Sequence, residues 1–321
     1  MAAARTPDVS VVIPTRDRGD VLGLTLASAL RQLDVEVEVI VVDDGSAVAP
    51  AVPGMDDPRV RLFREDRSAG VSAARNRGIT EARGAWVAFL DDDDLWAPDK
   101  LVRQLQAAGG SGQAWVYGGD VNVDADLRVL TGGPPPDPEE VVAALPRYNP
   151  VPTGASNVVV STEALADVGV FDLTLKRTED WDMWIRLARM GPPAWVPRPL
   201  VAYRFHPSNV PLETASIVRE PDLLAERYGI PVDRAAMQRR AAWAWLRAGR
   251  RGRAAGHYAM AASLGDLRSV GRAAVALLHP AVGSDRVFRL IRSRPEDEGW
   301  RREAQRWLDD LARVAPERGP A

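Results

Sequence analysis

The sequence predicts an α/β protein with a mostly parallel, twisted sheet, helices on both faces and a helical C-terminal appendage. Three observations predict it. Short β-branched runs (VSVVIPT, VEVIVV, RVRLF, AWVAFL) alternate with longer apolar-periodic stretches through the first hundred residues, the pattern of strand and crossover helix. Breaker-rich segments such as TRDRGD and DDGS follow the strands, as loops at strand ends do. From about Ser216 onward only helical periodicity is present.

Element by element, VSVVIPT is a buried strand and VLGLTLASALRQL the helix after it. The second strand ends in Asp43, Asp44, Gly45 and Ser46, the third leads to a helix over SAGVSAARNRGITEA, and the fourth runs straight into Asp91, Asp92, Asp93 and Asp94. Ligands of such sheets gather beyond the carboxyl ends of the strands. After the helix PDKLVRQLQAA, WVYGGDVNV is a strand, and GGPPPDPEE reads as a loop that no regular element traverses. NVVVS is another strand, TEALADVG a helix capped by Thr162, and TEDWDMWIRLARMG a longer helix ended by Gly191 and two prolines. AWVPRPLVAYRFH reads as two short strands interrupted by Pro197 and Pro199. RAAWAWLRAGRRGRAAGHYAMAASLGD has the small and aromatic residues of one helix-turn-helix unit.

Composition narrows the chemistry. The 321 residues contain no cysteine, which excludes disulfides, thiolate catalysis and sulfur-ligated metals and leaves oxygen and imidazole as metal ligands. The start MAAARTPDVSVVIP lacks the apolar core of a secretory signal, and no run approaches the ~18 apolar residues of a spanning helix. A cytoplasmic location is therefore expected. The net charge of −3 conceals thirteen arginines between Arg234 and Arg294 against Asp266 and Asp285. Such a segment faces solvent, an anionic acceptor or anionic lipid.

Four adjacent carboxylates repel one another unless a cation or hydrogen-bond donors compensate. In extended backbone Asp91 and Asp93 share a face, and Asp-X-Asp spacing suits one hard divalent ion, Mg²⁺ or Mn²⁺, that also binds phosphates. The alternative is an acidic turn in which Asp93 or Asp94 caps the next helix. Asp43 can accept from a pyrimidine N–H or a ribose hydroxyl, although DDGS is equally good turn chemistry. Asp180 lies in the first turn of a helix, where the dipole favours its anion and Thr178 can cap. Trp181 and Trp184 at i, i+3 pack against the core or offer a face to a sugar.

VSVVIPTRDR, VIVVDDGS, GVSAARNRGI, VAFLDDDDLWAPDKL and TEDWDMWIRLA, in this order, resemble glycosyltransferase family 2, inverting enzymes of GT-A fold, over roughly residues 8–207. The resemblance implies a GT-A-like fold and assigns roles. Pro14, Thr15 and Arg16 lie in the nucleotide-contacting loop, Asp43 with Asp44 beside it reads the base, and Arg75 approaches the base or diphosphate. Asp92 binds ribose, Asp93 is the principal metal ligand with Asp91 as companion, and His206 touches the metal or phosphates. Asp180 is the general base, and Glu179 orients it or contacts a sugar. The cofactor is Mn²⁺ or Mg²⁺ and the donor a UDP-, dTDP- or GDP-linked sugar. The acceptor is a hydroxyl, for example on a lipid-linked saccharide or secondary metabolite, and nucleic acid is not a partner. Residues 1–110 then form the nucleotide-sugar-binding half, 111–212 the acceptor and catalytic-base half, and 213–321 a helical region whose basic face suits peripheral contact at the inner membrane surface.

The Gln-X-X-Arg-Trp element and spanning helices of processive synthases are missing from the sequence, so transfer of a single sugar per encounter is expected. Two rival readings are a glycosyltransferase-like scaffold that binds a nucleotide sugar without catalysis, and a nucleotidyltransferase. The aspartate run and Asp180 speak against the first. TRDRGD, a poor Gly-rich phosphate loop, speaks against the second.

Overall fold

A computed structural model describes residues 6–205, 215–278 and 298–314, which form two compact units. His206 lies outside the described residues. The first unit is built on a sheet of β1 (Val9–Thr15), β2 (Val37–Asp43), β3 (Val60–Arg64), β4 (Trp86–Phe89), β5 (Leu95–Trp96), β6 (Trp115–Val123), β7 (Val129–Gly133), β8 (Val159–Ser161) and β9 (Ala194–Arg204). Its order is β3-β2-β1-β4-β8-β6-β9-β5, with β7 also on β6. The expected parallel arrangement holds for β3, β2, β1 and β4. Beyond β4 the sheet is mixed: β8 runs antiparallel to β4 and β6, β9 is parallel to β6, and β5 and β7 are antiparallel edges. β1 and β2 are buried along their whole length, as strands covered on both faces are, and their buried polar pair Ser10 and Glu38 is satisfied across the sheet by Ser10 Oγ donating to Glu38 Oε1 at 2.6 Å.

Helices α1 (Gly19–Leu30), α2 (Val71–Glu81), α3 (Lys100–Ser111), α4 (Pro138–Ala144), α5 (Thr162–Val168) and α6 (Glu179–Met190) complete the stretch from the first strand to β9. Four local readings change. The Pro-rich stretch does carry regular structure at both ends, β7 and α4. Asp137 and Glu140 form a reciprocal capping box at the start of α4, with Pro138 in its first turn. The cap of α5 is Ser161, which accepts from Ala164 N, and not Thr162. Residues 194–204 form one strand instead of two, because Pro197 and Arg198 fall where the register against β6 shifts at Gly118 and Gly119. A bulge absorbs a proline that a regular ladder would reject. Trp181 and Trp184 are both fully buried, the latter stacked on Trp115 at 6.0 Å. Neither indole offers a face to a sugar.

The C-terminal region does not stay together. Its last helix, residues 298–314, belongs to the first unit, where Trp300 donates to Asp120 O and Trp307 to Pro199 O. A Cβ on Gly119 would stand 2.1 Å from the Trp300 ring, so this docking needs a glycine there. The second unit contains α7 (Ala215–Tyr228), α8 (Arg234–Arg247), α9 (Arg251–Ser263) and α10 (Arg268–Leu278). Trp245 and Leu246 of α8 pack on Ala254, Ala255 and Tyr258 of α9.

Beneath the sheet's carboxyl edge Lys100 is fully buried, with Nζ 2.6 Å from Gln104 Oε1 and 4.0 Å from the Trp96 ring centre. Burial pushes its pKa well below the ordinary lysine range. In the window between that lowered value and 10.5 the unfolded chain holds a proton the folded chain has given up, so stability rises with pH, by at most about 1.4 kcal/mol per unit. Lys100→Met is expected to flatten that rise. Thermal melts of both proteins across the neutral to alkaline range check it; parallel curves would contradict it.

Candidate active site

Three loops meet at the carboxyl ends of β1, β2 and β4. The last residue of β1, Thr15, is in register with Asp43 at the end of β2, and Leu90 N, just beyond β4, donates to Val12 O of β1. The aspartate run follows Leu90 directly. It is a turn closed by Asp94 N donating to Asp91 O at 3.1 Å, and not the extended strand end in which Asp91 and Asp93 would share a face. Asp92, Asp93 and Asp94 are buried, while Asp91 is partly exposed.

Neighbouring elements hold the turn from every side. Thr25 of α1 donates to Asp92 O at 2.8 Å. Arg204, at the end of β9, donates to Asp93 O, to Val21 O and to Thr25 Oγ1. Asp91 N donates to Ser156 Oγ at 3.0 Å, and Trp96 Nε1 to Ser156 O at 2.8 Å. Thr15 Oγ1 donates to Asp92 Oδ2 at 2.7 Å. Thr15 therefore orients the carboxylate read as the ribose contact, and Pro14 precedes it inside β1, opposite Val42.

Crowding buried carboxylates raises their pKa values. Burial, then the charge of Asp93, pushes Asp92 up to about 7 against the pull of Arg18 and Thr15. Asp94 is held well above the carboxylate range by burial and by Asp93 and Asp91, although Ser156 hydrogen-bonds it. It caps no helix: Asp99 stands at the N-cap of α3. The cluster therefore calls for positive charge, and Arg18 supplies some. Its guanidinium bridges Asp93 Oδ2 and Asp92 Oδ1, the latter at 3.2 Å. Burial works against the Arg18 charge, but the two aspartates outweigh it and its pKa is raised.

Arg75 joins the run to the helix-start pair. Reaching from α2 and buried over the Phe171 ring, it places Nη2 2.6 Å from Asp91 Oδ1 and Nη1 2.9 Å from Glu179 Oε1. Burial opposes the Arg75 charge; Asp91 and Glu179 more than compensate, so its pKa is raised. It was expected at the base or diphosphate, and these two carboxylates instead occupy its arms. Burial raises the pKa of Glu179 despite Arg75, with Asp180 adding to the rise.

Asp180 accepts from Trp181 N at 2.7 Å. A Cβ on Gly154, whose φ is +52°, would lie 2.7 Å from Asp180 Oδ2. A glycine there is what leaves the carboxylate room. Thr178 stands at the N-cap of α6 without a side-chain capping bond.

Asp43 and Asp44, which the family resemblance places at the base, differ in their surroundings. Asp44 is engaged in structure, accepting from Ser68 Oγ, Ala69 N and Gly70 N and so fixing the loop before α2. Asp43 accepts from Ser46 N, and Arg64 Nε lies 3.3 Å from its other oxygen without hydrogen-bond alignment. Arg16 is exposed and donates to Ser68 Oγ.

Six buried side-chain polar atoms lack a hydrogen-bond partner among the described residues, and four are here: Asp43 Oδ2, Asp94 Oδ1, Glu179 Oε2 and Arg75 Nε. Buried polar atoms are ordinarily satisfied. Their concentration at one strand edge marks a place made to meet a ligand. No group of three or more Asp, Glu, His or Cys forms a ready metal cage among the described residues. A hard divalent ion that arrives with phosphates needs only one or two protein carboxylates and can take each through a single oxygen; the two that the sequence offers, Asp93 and Asp91, are held in this turn by Arg18 at Asp93 Oδ2 and by Arg75 at Asp91 Oδ1.

An ion at Asp93 must compete with Arg18. Arg18→Gln is therefore expected to tighten Mn²⁺ binding in the absence of nucleotide by roughly tenfold, the equivalent of ~1.4 kcal/mol. Calorimetric titration checks this; equal or weaker binding would contradict it. Sequence reasoning missed Arg18, Ser156 and Gly154. The signal for Arg18 lay in TRDR, where a second cation follows Arg16 in the loop after β1.

Residues 10–131 match the family model described as Glycosyl transferase family 2. The chain is 47% identical over 113 residues to the succinoglycan biosynthesis protein ExoO of Rhizobium meliloti, a stretch covering 35% of this chain and 32% of that protein. It is 27% identical over 187 residues to the Escherichia coli UDP-Glc:alpha-D-GlcNAc-diphosphoundecaprenol beta-1,3-glucosyltransferase WfaP, covering 57% and 71% of the two chains. The chain thus spans about a third of the length of ExoO. Among solved structures, the mannosyltransferase PcManGT of Pyrobaculum calidifontis, in complex with GDP-Man and Mn²⁺, superposes with a TM-score of 0.51 at 20% identity over 96% of this chain and 86% of that one. This is likeness of fold, and the fold is GT-A. The family match falls on β1 through most of β7, so residues 10–131 carry a glycosyl transferase family 2 domain, and Gly154, Glu179 and Asp180 lie beyond the matched residues.

Proposed function

We propose that the chain transfers a single sugar from a nucleotide-diphosphate sugar to an acceptor hydroxyl, with inversion and with a divalent ion held at Asp93 and Asp91. The observation that carries this reading is the meeting of the aspartate turn, Arg75 and the Glu179–Asp180 pair at one strand edge, with four unsatisfied buried polar atoms. Asp180 accepts the proton of the acceptor hydroxyl as that oxygen bonds to the anomeric carbon and the bond to the diphosphate breaks on the opposite face. The bound ion, Mn²⁺ or Mg²⁺, would supply charge to neutralise the leaving diphosphate. Thr15 holds Asp92 toward the ribose, Asp43 accepts from the base once Arg64 yields, and Arg75 fixes Asp91 and Glu179 relative to each other. Pro14 and Arg16 flank the nucleotide, and His206 is proposed as a further contact to ion or phosphate.

WfaP acts on a diphosphoundecaprenol-linked saccharide by its name, which favours a lipid-linked acceptor at the cytoplasmic face of the membrane. No helix among the described residues is long and apolar enough to cross a membrane. A thermal-shift panel of UDP-, dTDP- and GDP-sugars with and without Mn²⁺ tests the donor assignment. Binding at a hundredfold excess over Kd stabilises by about 2.7 kcal/mol, which raises the melting temperature by several degrees. No shift with any donor would overturn the proposal.

A further inference from the structure

We propose that the outward face of α10 is a docking surface for an anionic membrane. The helix is arranged contrary to the usual rule. Its buried side is made of small residues: Ser269 and Ala276 are buried, and Ala273 and Ala276 pack on the α8–α9 core. The large aliphatic side chains face solvent. Leu267 is 77% exposed, Val270 58%, Leu277 56% and Leu278 80%. Leu267, Val270, Ala274 and Leu277 recur at helical spacing along one face, and Leu278 widens the stripe. Met260 on α9 and Leu264 in the turn after it are exposed as well. A contiguous patch of this kind marks an interaction site.

Charge identifies the partner. Between Arg234 and Leu278 the chain carries nine arginines and a single acidic residue, Asp266. Arg239 and Arg272 share that one carboxylate. Arg268 stands exposed within the stripe's first turn, and Arg250, at the N-cap of α9, and Arg253 on α9 add to the field. A protein partner of matching shape would present acidic groups of its own, whereas a helix with leucines outward and arginines at its borders matches the headgroup and acyl layers of an anionic bilayer. The inference is independent of the sugar-transfer reading: it needs neither a donor nor a lipid-linked acceptor.

The test is co-sedimentation of the full chain with phosphatidylcholine vesicles, with and without phosphatidylglycerol, at low and high salt. Binding is expected to the anionic vesicles, to weaken as salt rises, and to fall on the order of tenfold in the Leu277→Ser, Leu278→Ser double variant. Both side chains are exposed, so the melting temperature should stay unchanged; Leu267→Ser is a second variant at the other end of the stripe. Three results would overturn the proposal: no binding to anionic vesicles at low salt, binding unaffected by either variant, or light scattering that shows a dimer lost in the same variants, which would assign the stripe to a second copy of the chain.

Discussion

Asp180→Asn is expected to lower the rate of sugar transfer by roughly 10²–10⁴, the usual contribution of a positioned general base, and to leave the affinity for donor within about twofold. The substitution keeps the size of the side chain, its acceptor for Trp181 N–H and the clearance over Gly154. What it removes is basicity. Because the proposed proton transfer occurs only as the acceptor oxygen attacks, the loss should fall on turnover and not on donor binding. Steady-state kinetics with any acceptor that supports transfer check this. An unchanged rate would show that another group takes the proton.

Asp93→Asn is expected to cost roughly 10²–10³ in kcat/KM, the scale of losing one preorganised source of charge stabilisation, and to abolish the response of activity to Mn²⁺. The fold should survive, because Thr25 and Arg204 hold the turn through backbone oxygens that the substitution leaves in place. The variant also removes the Asp93 charge that faces the Arg18 guanidinium. Rates measured across a Mn²⁺ titration separate the outcomes: a variant that keeps its metal response places the ion elsewhere in the aspartate turn.

The parallel half of the sheet was legible because β1 and β2 are short, rich in β-branched residues and buried, and β4 is short and apolar, so length and composition agree. The placement of Asp43 and of the aspartate run at strand ends followed from the same pattern. What the sequence hid was long-range. The bulge that lets one strand run through Pro197 and Pro199 depends on two glycines in β6, about eighty residues earlier. The bridge from Arg75 to Glu179 spans 104 positions, and no local spacing announces it. Gly154 reads as a turn residue until Asp180 is placed against it. The docking of Trp300 and Trp307 on the sheet likewise joins residues that share no local pattern, which is why the C-terminal region read as one helical block.

The central claim is that the aspartate turn binds a divalent ion and a nucleoside diphosphate as one assembly. Isothermal titration of UDP, or of whichever nucleoside diphosphate the donor panel selects, in Mn²⁺ and in chelator measures it directly. Coupling of 1–3 kcal/mol between the two ligands predicts that Mn²⁺ tightens nucleotide binding by roughly 5–150-fold, and that Asp93→Asn removes the difference. Equal affinities in Mn²⁺ and chelator for the unaltered protein would contradict the account.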